Sequence, residues 1–320
     1  MLEKDYELLR YGKAPESCEL LEELTVGEDE FAEFLTKQYF REYIPQGGSK
    51  IKFLTGRAGS GKTHFARLLR IRAEKENHLT VYLSAKDVWL HDFREIYLGI
   101  VSRIDLPQLL KRCADRIIRE IGYDPEDIAP GKSLMDVLSE RGEADALSRG
   151  EIRAALRRFF TRNPLLDNNF ACACSLLVGG ILGHPMLEPS GRDLLYQYLY
   201  GDKTVKLALL RTLGLSPSRI TRYNARYLLK SLSELVHLSG YQGMLVVIDD
   251  METVLNRSSE SSMRYTKLRR EDTYESIRQL IDDIDEMHYL MFLLVFDREL
   301  MDDDSYGMKS YQALYMRIQN

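Results

Sequence analysis

Eight consecutive residues, Gly56-Arg57-Ala58-Gly59-Ser60-Gly61-Lys62-Thr63, fill each position of the G-x-x-x-x-G-K-[ST] phosphate-binding pattern. Glycines let the backbone curl so that successive N–H groups converge on phosphate oxygens. A helix beginning near Lys62 adds the partial positive charge of its N-terminus. In that geometry the Lys62 ammonium reaches the β- and γ-phosphates and the Thr63 hydroxyl ligates Mg²⁺. No Asn-Lys-x-Asp guanine signature is present, so the expected ligands are ATP and Mg²⁺.

A phosphate loop alone binds phosphate, whereas hydrolysis also needs a carboxylate near the metal and a group that orients water. The run Met244-Leu245-Val246-Val247-Ile248 reads as a parallel strand buried on both faces, and it ends in Asp249-Asp250. A carboxylate emerging there lies beside the phosphate loop, so Asp249 joins Thr63 as a candidate metal ligand. Asp250 is the candidate to polarise the attacking water, a position where many ATPases place glutamate. Aspartate is one methylene shorter, so either a water shifts inward or Glu252 takes part. The catalytic set is then Lys62, Asp250 and Glu252, and the plain alternative for the two aspartates is a solvated strand end.

A second apolar run, Leu290-Met291-Phe292-Leu293-Leu294-Val295-Phe296, ends at Asp297-Arg298. Asp297 is expected to touch metal-bound water, to orient Arg298 or to serve the loop. Arg298 and Arg317 are candidate fingers reaching a neighbouring subunit's site, with surface salt bridges as the alternative.

Several elements must position these groups. Ile51-Lys52-Phe53-Leu54-Thr55 alternates like a strand, and Phe65, Leu68, Leu69 and Arg72 recur at helical spacing. Thr25 is placed to cap a helix over residues 28–43 with Phe31, Phe34, Leu35 and Ile44 on one face. Leu79-Thr80-Val81-Tyr82-Leu83-Ser84 reads as a second strand, and residues 272–287 as a helix. Between 92 and 240 the periodicity is helical, as in Leu228-Leu229-Leu232-Leu235-Val236, and no strand is expected. The expected division is 1–91, carrying the N-terminal helices and phosphate loop; 92–240, a helical insert; and 241–320, the acidic-strand half of the core.

With 44% apolar and 29% charged residues, the chain has the composition of an ordinary globular protein. A net charge of −5 argues against a generally basic nucleic-acid binder but leaves room for a local basic face. The four cysteines include no Cys-x-x-Cys pair; Cys172 and Cys174 read as small packing residues in an apolar helix, and the usage fits a reducing cytoplasm. The N-terminus lacks a signal-peptide profile and no membrane span is expected. Positive charge concentrates in residues 256–270 and at Arg153, Arg157, Arg158 and Arg162, each read as a solvated face before a nucleic-acid contact.

These motifs carry a resemblance. Thr25-Val26-Gly27-Glu28, the phosphate loop, the long helical stretch, Gly240-Tyr241-Gln242-Gly243 before the acidic strand, and the late Ser310-Tyr311-Gln312-Ala313-Leu314 follow one another in order. That order resembles the P-loop ATP-binding proteins of BREX-type bacterial phage-defence loci, the BrxD-like proteins. The resemblance implies an α/β P-loop NTPase of the AAA+, origin-recognition-like type: a parallel sheet with helices on both faces and a large helical insert. It adds Val26 and Gly27 to the nucleotide-contacting set. It implies an ATPase working as switch or motor with other defence proteins and with DNA, assembling on nucleotide. Asp249-Asp250 departs from the family's Asp-Glu and puts the hydrolysis rate in question. The chain ends at Asn320, where such ATPases continue into a fifth strand and helical lid; the expectation is a core lacking that lid or a sequence that continues. Two other readings stay open, a nucleotide-sensing scaffold with little turnover and a small-molecule kinase.

Overall fold

The computed structural model describes residues 5, 7, 8, 10, 15, 18–24, 27, 29–256 and 263–319. Its elements begin with α1 (Cys18–Glu23), α2 (Asp29–Leu35), a π-helical turn (Thr36–Tyr43), β1 (Ser49–Gly56), α3 (Lys62–Lys75), β2 (His78–Ser84) and α4 (Phe93–Val101). Then come α5 (Leu106–Glu120), α6 (Leu134–Arg141), α7 (Ala146–Leu156), α8 (Asn168–Leu182), α9 (Pro189–Leu199), α10 (Leu207–Thr212) and α11 (Ala225–Leu238). The chain finishes with β3 (Gly243–Asp249), α12 (Lys267–Asp283), β4 (Leu290–Asp297), α13 (Arg298–Asp302) and α14 (Gln312–Gln319). Two compact units result, residues 1–100 with 241–320 and residues 101–240.

The first unit is α/β. Its four strands are all parallel in the order β1-β4-β3-β2. Parallel strands require crossovers: α12 lies in the one between the neighbours β3 and β4, and α3 in the connection from β1 to β2, the two edges of the sheet. All seven residues of β3 are buried, as are the first seven of β4, so both faces of the sheet centre are covered. This is why those strands read as unbroken apolar runs instead of alternating. One face packs Leu245, Val247, Met291, Leu293 and Val295 against Phe65, Leu68 and Leu69 of α3. Gly243 permits the close approach that starts β3, since a Cβ there would lie 2.5 Å from Ile44 Cγ2 and 2.9 Å from Tyr289 O.

The helix expected over 28–43 needs correction. Phe31 and Phe34 are 55% and 57% exposed, and the buried line runs instead through Ala32, Thr36, Tyr39, Phe40 and Ile44. Ala32, Thr36, Tyr39 and Phe40 form a competing stripe at i, i+4, i+7 and i+8, and the core takes that face; Phe31 and Phe34 lie off it in the regular α2, ahead of the π-helical turn in which the Ile44 N–H donates to Tyr39 O at 2.9 Å. The Thr36 hydroxyl donates to Ala32 O at 2.7 Å within that stripe. The Thr25 cap lies outside the described residues.

The second unit consists of helices joined by loops, with no strand among its described residues. Cys174 is wholly buried in α8 and Cys113 in α5, and burial pushes the Cys113 thiol up to about 12, as expected of packing residues. The basic segment over 256–270, expected as a solvated loop, is described only in part. Residues 257–262 lie outside the described set, while Lys267, Arg269 and Arg270 belong to α12. Arg270 is buried and donates to Tyr265 O at 2.9 Å, and Arg269 lies over the Trp89 ring at 4.5 Å. Arg264 and Lys267 remain exposed, Lys267 lying 3.8 Å from Glu271.

Candidate nucleotide site

Strand register brings the chemistry-bearing residues to one edge of the sheet. Gly56 at the end of β1 pairs with Asp297 at the end of β4, and Asp249 at the end of β3 pairs with Ser84 at the end of β2. Because β4 lies between β1 and β3, the carboxylates of Asp297 and Asp249 follow the phosphate loop across the carboxyl edge.

The loop has the conformation its glycines allow. Gly59 and Gly61 adopt φ +76° and +87°, and a Cβ on Gly56 would lie 2.5 Å from Ser60 Oγ. The Ser60 N–H donates to Arg57 O at 3.1 Å and closes the turn. No side chain caps α3, whose N-cap is Gly61, so its first N–H groups face the loop. Arg57, Ala58, Gly59, Ser60 and Gly61 are exposed, as a loop that receives a ligand must be.

Lys62 and Thr63 open α3 and each meets an acid from the sheet. Lys62 Nζ lies 2.6 Å from Asp297 Oδ1 and donates to Arg57 O at 2.9 Å. The Thr63 hydroxyl donates to Asp249 Oδ2 at 2.9 Å, across 186 residues of sequence. Asp249 is 5% exposed and well supplied with donors: Tyr82 OH bonds the same oxygen, and the Asp250 N–H donates to Oδ1 at 2.7 Å. Burial, then the Asp249 charge, raises the Tyr82 phenol above its ordinary value, so Tyr82 stays a donor.

Asp250 sits in the left-handed region at φ +59°, ψ +28°, which turns its side chain back toward β2. There Ser84 Oγ donates to Asp250 Oδ2 at 2.7 Å, and Lys86 Nζ donates to Oδ1. Both carboxylate oxygens are thereby held. Glu252 accepts from the Asp297 N–H at 3.3 Å, and burial, with the charges of Asp297 and Asp250, raises its carboxyl above the ordinary glutamate value. Tyr82, Ser84 and Lys86 are additions that sequence reasoning missed; only the β2–β3 pairing reveals them.

Other expected residues fall as follows. Asp297 pairs with Lys62, whereas Arg298 bonds Asp302 at 2.9 Å and so is not oriented by Asp297. Arg317 bonds Asp282 at 2.5 Å. Gly27 is exposed with φ +82°, and Val26 lies outside the described residues. Among the described residues no cluster of three histidine, cysteine or acidic side chains is arranged for a metal ion, and no helix is long and apolar enough to cross a membrane.

The sequence model of the BREX system ATP-binding proteins BrxC/D matches residues 6–120 and 183–320. The chain belongs to that family. Membership assigns it an ATP-binding role in a BREX system, and the matched segments contain β1 with its loop, β2, β3 and β4. No curated protein and no solved structure matches the chain.

Proposed function

We propose that the chain is a Mg²⁺-dependent P-loop ATPase of the AAA+ type, a nucleotide-driven switch or motor acting with other BREX defence proteins and on DNA in the cytoplasm. The observation that carries this reading is the 2.9 Å contact between Thr63 Oγ1 and Asp249 Oδ2, which joins the phosphate loop to the acidic strand end. Two adjacent oxygens on an octahedral Mg²⁺ with bonds of about 2.0–2.1 Å stand about 2.9 Å apart, so hydroxyl and carboxylate fit neighbouring positions on that ion. A bound Mg²⁺ would neutralise charge on the β- and γ-phosphates. Residues 56–63 would cradle the phosphates, with Val26 and Gly27 beside the nucleotide. Residues 1–91 and 241–320 would then be two halves of the ATPase core and 92–240 its helical insert.

In this reading Lys62 leaves Asp297 for the γ-phosphate, and Asp250 orients the attacking water once Ser84 and Lys86 release it. Glu252, whose carboxyl favours the protonated form more than an exposed glutamate does, supports the Asp297 turn and is the second candidate for the water. The clamp on both Asp250 oxygens favours a second reading, a nucleotide sensor with little turnover. Steady-state ATP hydrolysis with and without double-stranded DNA separates the two. Turnover above the Lys62→Ala background, raised by DNA, supports the motor; tight binding without turnover supports the sensor.

A further inference from the structure

The helical unit contains a surface that the nucleotide site does not use. Between Asp202 and Glu234 the chain carries seven lysines and arginines and no carboxylate, although its net charge is −5. Lys203, Lys206, Arg211, Arg219 and Arg222 are exposed. The carboxylates at either end of this run have partners. Asp202 Oδ1 accepts from the Thr204 N–H and hydroxyl at 2.7 and 2.8 Å, and the buried Glu234 accepts from Asn163 Nδ2 at 2.8 Å. Positive charge is therefore concentrated along this run of the sequence.

Two tyrosines stand among these cations, Tyr223 70% exposed and Tyr227 65% exposed. Rings left this open in an ordered segment have apolar area available for a partner. The backbone beneath them is fixed. Arg219 Nη1 donates to Lys203 O at 2.7 Å, tying the two basic stretches together. Asn224 Oδ1 accepts from the Thr221 N–H at 2.7 Å, and its Nδ2 donates to Arg219 O at 3.0 Å. Arg222 lies over the Tyr223 ring at 5.0 Å and donates to its hydroxyl at 2.9 Å, holding a guanidinium and a ring together.

Cations that take phosphates beside exposed aromatic faces that take bases are the two components of single-strand recognition. A duplex conceals its base faces and would use only the charge. We propose that this surface binds single-stranded nucleic acid, with phosphates on Lys203, Lys206, Arg211 and Arg219 and bases stacked on Tyr227 and on the Tyr223–Arg222 pair. The inference deepens the nucleic-acid element of the proposed function, yet it stands on residues outside the phosphate loop and needs no hydrolysis.

The test is fluorescence anisotropy of the full chain, without ATP, using a labelled oligothymidylate of about twenty nucleotides and a duplex of the same length over a salt series. The single strand is expected to bind more tightly than the duplex. Tyr227→Ala should weaken it about tenfold, within the range for one stacked base, while Tyr227→Phe binds like the parent. Lys206→Ala with Arg211→Ala should flatten the logarithmic salt slope by about 1.4, or about 0.7 for each lost phosphate contact. Arg153→Ala with Arg157→Ala, an equal loss of charge on α7 and the turn after it, should leave the affinity within twofold. Absence of saturable single-strand binding at low salt, a Tyr227→Ala affinity equal to the parent's, or a preference for duplex or for phosphatidylserine vesicles overturns the proposal. Lys62→Ala should bind the oligonucleotide normally while losing ATP, so failure of the nucleotide reading is scored separately.

Discussion

Lys86→Ala should raise ATP turnover with little effect on stability. Lys86 and Ser84 hold the two Asp250 oxygens, and the Lys86 side chain is 62% exposed. An ion pair that open to water contributes about 0–1 kcal/mol, so the melting temperature should move by no more than about 4 °C for a chain of this size. The same small energy acts differently on the site. Weakening the clamp by about 0.5–1 kcal/mol raises the population of free Asp250 carboxylate about two- to fivefold, at 1.36 kcal/mol per tenfold. If release of Asp250 limits water activation, turnover rises by that factor. The assay is steady-state phosphate release from the parent, Lys86→Ala, Asp250→Ala and the double variant, each corrected for Lys62→Ala. A fall in turnover for Lys86→Ala with an unchanged melting temperature would refute the reasoning and make Lys86 part of the active arrangement. Lys86→Ala activity that survives Asp250→Ala would move the role to Glu252.

Three further outcomes are expected. Mg-ATP at a hundredfold its dissociation constant should stabilise the parent by about 2.7 kcal/mol, and Lys62→Ala should remove the thermal shift. Glu252→Gln should change the pH dependence of stability. The folded-state carboxyl lies above its ordinary value of 4.5, so the native state binds the extra proton and the parent loses stability as pH rises from the unfolded to the folded value. The variant should therefore match the parent below about pH 4 and melt higher at neutral pH, read by calorimetry across pH; a variant that melts lower at neutral pH contradicts the assignment. A non-hydrolysable ATP analogue should drive self-association visible by light scattering, and Arg298→Ala should suppress it if that arginine completes a neighbour's site; a strictly monomeric chain with full turnover excludes the trans arginine.

Much of the α/β unit was legible because its determinants are local. The phosphate loop is a fixed spacing of small and cationic residues, and β3 and β4 are continuous apolar runs because both their faces are buried. Thr63 beside Asp249 followed from the motif, but the partners that β2 and the residues after it supply to Asp249 and Asp250 were not legible. Tyr82 and Asp249 are 167 residues apart, and only the pairing of β2 with β3 makes Tyr82, Ser84 and Lys86 neighbours of the acids. The exposure of Phe31 and Phe34 escaped for another reason: Ala32, Thr36, Tyr39 and Phe40 offer a competing stripe along the same segment, and which of the two is buried is decided by tertiary packing. The carboxylate-free run from Lys203 to Ser233 is visible as composition, but the exposure of Tyr223 and Tyr227 within it is a tertiary property.

Whether the phosphate loop and the end of β3 form one Mg-ATP site is decided by calorimetric titration of ATP with and without Mg²⁺. Mg²⁺ should tighten ATP binding to the parent, Lys62→Ala should abolish binding, and Asp249→Ala should bind ATP with no gain from Mg²⁺. ATP binding that survives Lys62→Ala undiminished, or a Mg²⁺ effect of equal size in Asp249→Ala, would contradict a single shared site.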